Sequence, residues 1–470
     1  MYSMKFCNGL VILVGIATVL AFAGLIPLGT WQDDFLTLHN YHQQGGDFLI
    51  ERLRHWSPRP LSEALIYLYA VTVHHYGLPL IGAFIALFWL VLAGALLLPP
   101  SLGKRGFLTA IAMLAMLLLG HPVTEFFYWP DGVAAYLPTL AAAALLLALD
   151  WGGWSESKTG LCWTFIALMT AAASSEVGAM FTIIYVGLLV ISRSVQSRRQ
   201  MTLMVIPFLL SSGLLCLQYS GRVSQASEII GDPAIAHHPF ATLLAVAKDL
   251  PFELLKGDTL RHKYIGLAEG LVIKLLFLVG LYLAMSARRS SPNKRMQRMR
   301  LILALALLAT AMLTMAAAFY NFGAPCCERH DTLRQNYILI ALGSLATLLA
   351  ARWPSRHFKY AGPILLLALA IPLIAILPRL VAEYRDYAAI VQARDDTWRS
   401  GQSVGPDMKF TQTIPNVTGN VYITPDIYRR TANPDADQRA QWILAFFDKQ
   451  SVEFTPAVNA TDRNDAYLIQ

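Results

Sequence analysis

The sequence predicts an all-α polytopic membrane protein with about eleven transmembrane helices, interfacial helices on its outer face and a small C-terminal extracytoplasmic appendage, α/β or irregular. Three observations predict it. Hydrophobic residues make up 56% of the 470 and charged residues only 14%, with a mean hydropathy of +0.48. That is more apolar surface than a soluble globule can cover, so the excess faces lipid. The Lys and Arg residues behind the net charge of +7 fall in short clusters between apolar runs, as the positive-inside rule writes them, and not on the extended basic face that nucleic acid requires. Finally, Pro, Asn, Asp and Thr abruptly replace Leu and Ala near residue 379. The chain thus divides into a multi-span domain, 1–378, and an appendage, 379–470.

The first element is the run from Gly9 to Gly29. Lys5 ahead of it and Ala21-Phe22-Ala23 within it have the form of a secretory signal with a cleavage site. The run nevertheless continues past that site and, at about 1.5 Å per residue, reaches across the roughly 30 Å hydrocarbon core, so a retained anchor is expected. The basic clusters Lys104-Arg105, Arg193 to Arg199, Arg288 to Arg300 and Arg352 to Lys359 are assigned to the cytoplasm. Spans follow at about 9–29, 78–98, 107–120, 133–150, 161–174, 177–192, 201–220, 267–286, 301–320, 337–351 and 360–378, with a cytoplasmic N-terminus and an outside C-terminus.

Two stretches decide that count. Residues 161–192 are too long for one ordinary span, and one crossing would put Arg193 opposite Lys104, so a break is expected at Ser174-Ser175-Glu176-Val177-Gly178, where a Glu in hydrocarbon would otherwise be costly. Leu61 to Tyr76 is interrupted by Glu63, His74 and His75 and reads as an interfacial amphipathic helix on the outer face. The outer loops are then 30–77, 121–132, 221–266 and 321–336, followed by a tail with short strand-like pieces such as Asn420 to Thr424. Cys7, Cys162, Cys216, Cys326 and Cys327 have no CxxC spacing, against a zinc site or a disulfide scaffold. Cys326 and Cys327 suit an adjacent-pair disulfide as readily as two free thiols.

The outer loops carry the chemistry. The first holds Asp33, Asp34, His39, His42, Arg59 and Glu63 among Trp31 and Trp56, a density of mixed charge beyond what anchoring needs. Its bland alternative is a solvated loop whose aspartates cap a short helix near Phe35. In the second, Phe126, Phe127, Tyr128 and Trp129 lie between Glu125 and Asp131. This is either an interfacial aromatic belt or a flat surface for a sugar ring with carboxylates for its hydroxyls. In the fourth, Arg329 and Arg334 run against the positive-inside bias and suit a phosphate by their planar fork, as does Arg59. Lys274, inside the eighth span, is an intramembrane charge for which snorkelling is the alternative.

Taken together, Asp33-Asp34, Ser57-Pro58-Arg59-Pro60-Leu61, Tyr128-Trp129-Pro130-Asp131-Gly132 to Tyr136, Ser175-Glu176 and Arg329 resemble the GT-C superfamily over roughly residues 9–350. These are multi-span glycosyltransferases using polyprenyl-phosphate sugars, and the likeness is to its bacterial O-antigen glucosyltransferase branch. The resemblance implies an inner (plasma) membrane enzyme with Asp33 and Asp34 as catalytic acids. The residues themselves then suggest Arg59, Arg329 and Arg334 for the donor phosphate and Glu125, Tyr128, Trp129, Asp131 and Glu176 for the sugar or the acceptor, a glycan or lipid. No cofactor is expected; a divalent metal bridging the aspartates, with His39 and His42 as added ligands, is the alternative. Transfer from a lipid phosphate needs a base for the acceptor hydroxyl and a counter-charge for the departing phosphate. With one base opposite the leaving group it inverts the anomeric carbon. The rival expectation is a transporter or flippase of a lipid-linked or small polar solute, which would place polar residues near the bilayer midplane.

Overall fold

The computed structural model describes residues 2–24, 26, 32–56, 58–76, 80–97, 103–119, 124–152, 157–195, 197–222, 231–256, 263–286, 294–325, 328–354 and 361–369, together with 407–410, 417–418, 421–422, 445–446 and 451–454. The first half comprises α1 (Tyr2–Ala23), α2 (Gln32–Gln44), α3 (Asp47–Glu51) running into a π-helical turn over Arg52–Trp56, α4 (Pro60–Tyr76), α5 (Leu80–Leu97), α6 (Gly103–Leu119), α7 (Thr124–Phe127) and α8 (Pro130–Trp151). There follow α9 (Lys158–Ser174), α10 (Glu176–Ile191), α11 (Arg198–Arg222), α12 (Pro239–Leu255), α13 (Lys263–Ser286), α14 (Lys294–Phe322), α15 (Glu328–Arg352) and α16 (Ala361–Ala368).

The protein is a polytopic helical membrane protein. Among the described residues α1, α5, α8, α11, α13, α14 and α15 carry stretches long and apolar enough to cross a bilayer. Sequence analysis leads to eleven spans, and the difference lies in four helices. Each forms where a span is expected, but the 16 or 17 residues of α6, α9 and α10 rise only about 24–26 Å against a core of roughly 30 Å. The fourth, α16, has 8 residues, and the rest of its expected span lies outside the described residues. The 221–266 loop is also corrected, because it contains α12. The helix expected at Leu61 to Tyr76 does form, as α4, burying Ser62, Glu63, Ile66, Tyr69, Ala70 and Val73 along one face.

At the centre stands α8, 94% buried, against 17% for the apolar stretch of α11. Pro130 opens it with a preset φ, and Asp131 in its first turn meets the positive end of the helix dipole. Small residues then dominate (Ala134, Ala135, Ala141 to Ala144, Ala148), which lets α5, α9 and α15 close on its backbone.

The break between α9 and α10 falls where the Ser-Ser-Glu sequence puts it. Ser175 is extended, at φ −156° and ψ 160°, and its hydroxyl accepts the Gly178 N–H at 3.1 Å, capping α10. It also shares a 2.9 Å hydrogen bond with Thr139 of α8. Gly178 is required here: a Cβ would sit 2.1 Å from the Ala171 carbonyl oxygen and 2.6 Å from Thr139 Oγ1. At the opposite end of α8, Asp150 accepts from Arg300 Nε of α14 at 3.1 and 2.8 Å, Trp151 Nε1 donates to Thr347 at 2.7 Å, and the Ser344 hydroxyl donates to the Arg300 carbonyl at 2.9 Å. Arg300 belongs to a cluster expected to face water, yet it is turned inward and paired. In the tail, β1 (Asp407–Phe410) pairs in parallel with β4 (Ser451–Phe454), and β2 (Val417–Thr418) antiparallel with β3 (Val421–Tyr422).

Candidate functional site

The N-terminal turns of α2, α4, α8, α10 and α15 bring polar side chains together at one end of the bundle, in two adjoining groups. The first is acidic. Asp34, in the opening turn of α2, is fully buried. Thr37 lies one turn further on the same face and donates to Asp131 Oδ2 at 2.9 Å, so the carboxylates of α2 and α8 approach one locus. Tyr69 of α4 completes it: the ring is buried, and burial first, then the charges of Asp34 and Asp131, push its phenol well above the ordinary value. Tyr69 is therefore a neutral donor, and its hydroxyl has no hydrogen-bond partner among the described residues. A buried donor without an acceptor carries a desolvation cost of about 1–3 kcal/mol, which an incoming acceptor oxygen would relieve.

The second group is basic and aromatic. Arg59, just before α4, pairs through Nε with Glu176 at 3.1 Å and is hydrogen-bonded to Tyr136. Burial weighs against its charge, but Glu176, then Tyr136 and Glu63, outweigh it and hold the guanidinium above its ordinary value. Tyr136 shares a 3.0 Å hydrogen bond with His330 Nε2, next to Arg329, whose guanidinium carbon stands 5.1 Å from the centre of the Trp129 ring, within cation–π range. Glu63 also pairs with Arg52. Asp131 and Tyr136 are five residues apart on α8, roughly 7.5 Å along its axis, and α4 carries both Glu63 and Tyr69. These two helices therefore hold the acidic and basic groups side by side.

Several expected residues take different places. Tyr128 does not face an open surface; like Phe126 and Phe127 it is buried, donates to the Phe22 carbonyl at 2.8 Å and packs on Trp89 at 5.6 Å. The fold uses these rings to tie α7 and α8 to α1 and α5, leaving Trp129 as the ring of this run that meets Arg329. Arg334 is 1% exposed and belongs to another network: its Nε donates to Glu253 at 2.8 Å and its Nη2 to Asp331 at 3.3 Å. Lys256 pairs with both carboxylates. Burial opposes its charge, but Asp331 and Glu253 raise the ammonium above its ordinary value. Lys274 does not snorkel to a free surface but donates to the Leu254 and Lys256 carbonyls and to Gln335.

The side chains of Asp33 and Glu125, and Cys326-Cys327 altogether, lie outside the described residues. Asp33 belongs by backbone to the first turn of α2 beside Asp34. His39 hydrogen-bonds Gln43 at 2.9 Å, and the His42 ring lies 5.0 Å from that of His74. His42 is eight residues beyond Asp34 on α2, roughly 12 Å along the axis, too far to share an ion with it. Among the described residues no group of three or more His, Cys, Asp or Glu is placed to hold a metal. Thr37, Tyr69 and His330 carry no sequence signal, and Tyr136 only closes the motif that begins at Tyr128; each is a common residue on a helix, and packing brings it to the site.

Two neighbouring features frame the site. Phe446 of the tail packs on Phe35 with ring centres 5.2 Å apart, next to Asp34 in sequence. An apolar cleft among α1, α6 and α16, bounded by residues such as Val11, Gly15, Ala115 and Leu366, contains none of the site residues. Comparison of the chain with protein-family models, curated proteins and solved structures finds no match.

Proposed function

We propose that this protein is a membrane glycosyltransferase, moving a sugar from a polyprenyl-phosphate donor to a glycan or lipid acceptor of the cell envelope on the extracytoplasmic face. The observation that carries the reading is the juxtaposition of a buried carboxylate on α2 and a half-buried one on α8 with a cationic and aromatic group on the neighbouring helix ends. Transfer between a hydroxyl and a phosphate ester needs these two chemistries next to each other.

In this reading the Asp33 carboxylate takes the proton of the acceptor hydroxyl. The acceptor oxygen bonds to the anomeric carbon as the bond to the donor phosphate oxygen breaks, and that oxygen leaves with the electron pair. Attack from the face opposite the leaving group inverts the centre. Asp34, held with Asp131, Thr37 and Tyr69, orients the base and the acceptor. Arg329, backed by Trp129, and Arg59 hold the phosphate, and Glu176 keeps Arg59 in place. Arg334, committed to its own carboxylates, is left out of the phosphate set.

The deciding measurement uses purified protein in vesicles with a short-chain polyprenyl-phosphate hexose, following release of polyprenyl phosphate and labelling of an envelope glycan extract. Transfer that disappears in Asp33→Asn and Asp34→Asn, with the proteins still folded, supports the proposal. Full transfer in both variants, or donor crossing the bilayer without transfer, overturns it.

A further inference from the structure

Residues 221–266, which read as a loop, hold a helix whose surface is the reverse of a solvated one. At about 100° per residue, Phe240, Leu243, Leu244, Ala247 and Pro251 of α12 fall on one face roughly 100° wide. All five are exposed, Phe240 at 76%, Leu243 at 63% and Leu244 at 59%. Two of its polar groups, Thr242 and Glu253, turn inward. Thr242, Val246 and Glu253 are buried on the other side, Val246 against Met315 and Phe319 of α14. The segment before it is pinned to the end of α14, with the Gly231 N–H donating to Phe322 at 2.9 Å and the His237 N–H to Tyr320 at 2.7 Å. At its far end, Lys274 of α13 donates to the Leu254 and Lys256 carbonyls, each at 2.9 Å, capping the negative end of the helix.

We infer that α12 is an interfacial helix whose outward face is inserted among lipid acyl chains at the membrane border. Continuity with the lipid-facing surface identifies the occupant. The helices that hold α12 are α13, α14 and α15, each long and apolar enough to cross a bilayer; α13 and α14 flank it. They expose apolar side chains of their own, Met312 and Leu313 on α14, and Leu271, Val272 and Leu275 on α13. Lys274 lies seven residues inside the apolar stretch that begins at Leu267, roughly 10 Å along the axis, so the end of α12 it caps is level with hydrocarbon and not above it. Lys248, exposed at the edge of the stripe, suits a lipid phosphate while its stem covers apolar surface. This inference does not depend on the transfer reaction.

The test uses full-length protein with Ser replacing Cys7, Cys162, Cys216, Cys326 and Cys327, carrying Leu243→Cys, Leu244→Cys or Asp249→Cys labelled with an environment-sensitive fluorophore. The labelled proteins are reconstituted in phosphatidylcholine vesicles. Labels at 243 and 244 are expected to lose more than half their emission to lipids brominated on the acyl chain and little to aqueous iodide, with a weaker lipid effect at 249, across the helix. Iodide quenching at 243 and 244 as strong as lipid quenching overturns the inference. So does shielding from both quenchers, which would mean that a soluble protein or a second copy covers the face.

Discussion

The two ends of α8 handle carboxylates in opposite ways. At its C-terminal end one acid, Asp150, meets one base: Arg300 approaches both carboxylate oxygens through Nε within a frame of hydrogen bonds from Trp151 and Ser344. At its N-terminal end two acids from different helices, Asp34 and Asp131, both act electrostatically on the Tyr69 phenol, and Asp131 accepts from Thr37, beside a separate set of arginines. A one-to-one pair of this kind holds helices together, whereas several polar groups drawn from different helices to one place are the arrangement that functional sites tend to share. The contrast separates a fastening from a candidate catalytic centre, although both are buried polar clusters on one helix.

The largest effect that would break this comparison is on activity. Asp33→Asn and Asp34→Asn are each expected to lower transfer roughly 10²–10⁴-fold, the range of a lost general base and its partner, with thermal unfolding little changed. Asp150→Asn should do the reverse, and a transfer loss there as deep as at Asp34 would erase the distinction. Next comes stability. Arg300→Met leaves Asp150 uncompensated and should cost about 3–5 kcal/mol in a denaturation series, while Asp150→Leu combined with Arg300→Met should restore most of it.

Gly178→Ala is expected to cost about 1–3 kcal/mol by forcing α10 off α9 and α8, and to lower transfer because Glu176 moves with α10. Arg329→Lys keeps the charge but loses the planar fork and much of the stacking on Trp129. An increase of about tenfold in apparent KM for the lipid-phosphate donor, with kcat nearly unchanged, is the expected signature.

The smallest effect sharpens the picture at the α12 network. Lys256 gains partners on folding and its pKa rises above the ordinary 10.5. Its contribution to stability is therefore fully present below that value and is lost as pH climbs through the raised one. Thermal scans from pH 9 upward should show an alkaline loss that is smaller in Lys256→Met, while scans between pH 6 and 9 should show no step from this group.

Much of the architecture was legible because it follows from local chemistry. The apolar runs form helices at the expected places, and the 161–192 stretch breaks at Ser175, where its length, the charge parity of Arg193 with Lys104 and the cost of Glu176 in hydrocarbon put the break. The span count was less legible, since residues 106–119 are as apolar as a crossing segment and fall short only in length. The α12 helix is not evident from sequence because its charges, Lys248, Asp249, Glu253 and Lys256, suggest a solvated loop until Glu253 and Lys256 are seen paired with Arg334 and Asp331 of α15.

At the site, carboxylates and arginines stand out in any sequence, so Asp34, Arg59, Asp131, Glu176 and Arg329 could be named in advance. The roles of Tyr128 and Arg334 could not, because an aromatic or an arginine at a membrane border has the same local signature whether it meets a ligand or its own protein.

Composition and charge order alone determined that the chain is a helical membrane protein and where most of its helices lie, because partition between lipid and water depends on each residue and its near neighbours. The tertiary structure decided which acids converge, which are neutralised by Arg300 or Arg334, and which aromatics remain beside the arginines. Those outcomes depend on contacts between residues tens to hundreds of positions apart, and on the close approach that alanine and glycine permit around α8, which no local pattern encodes.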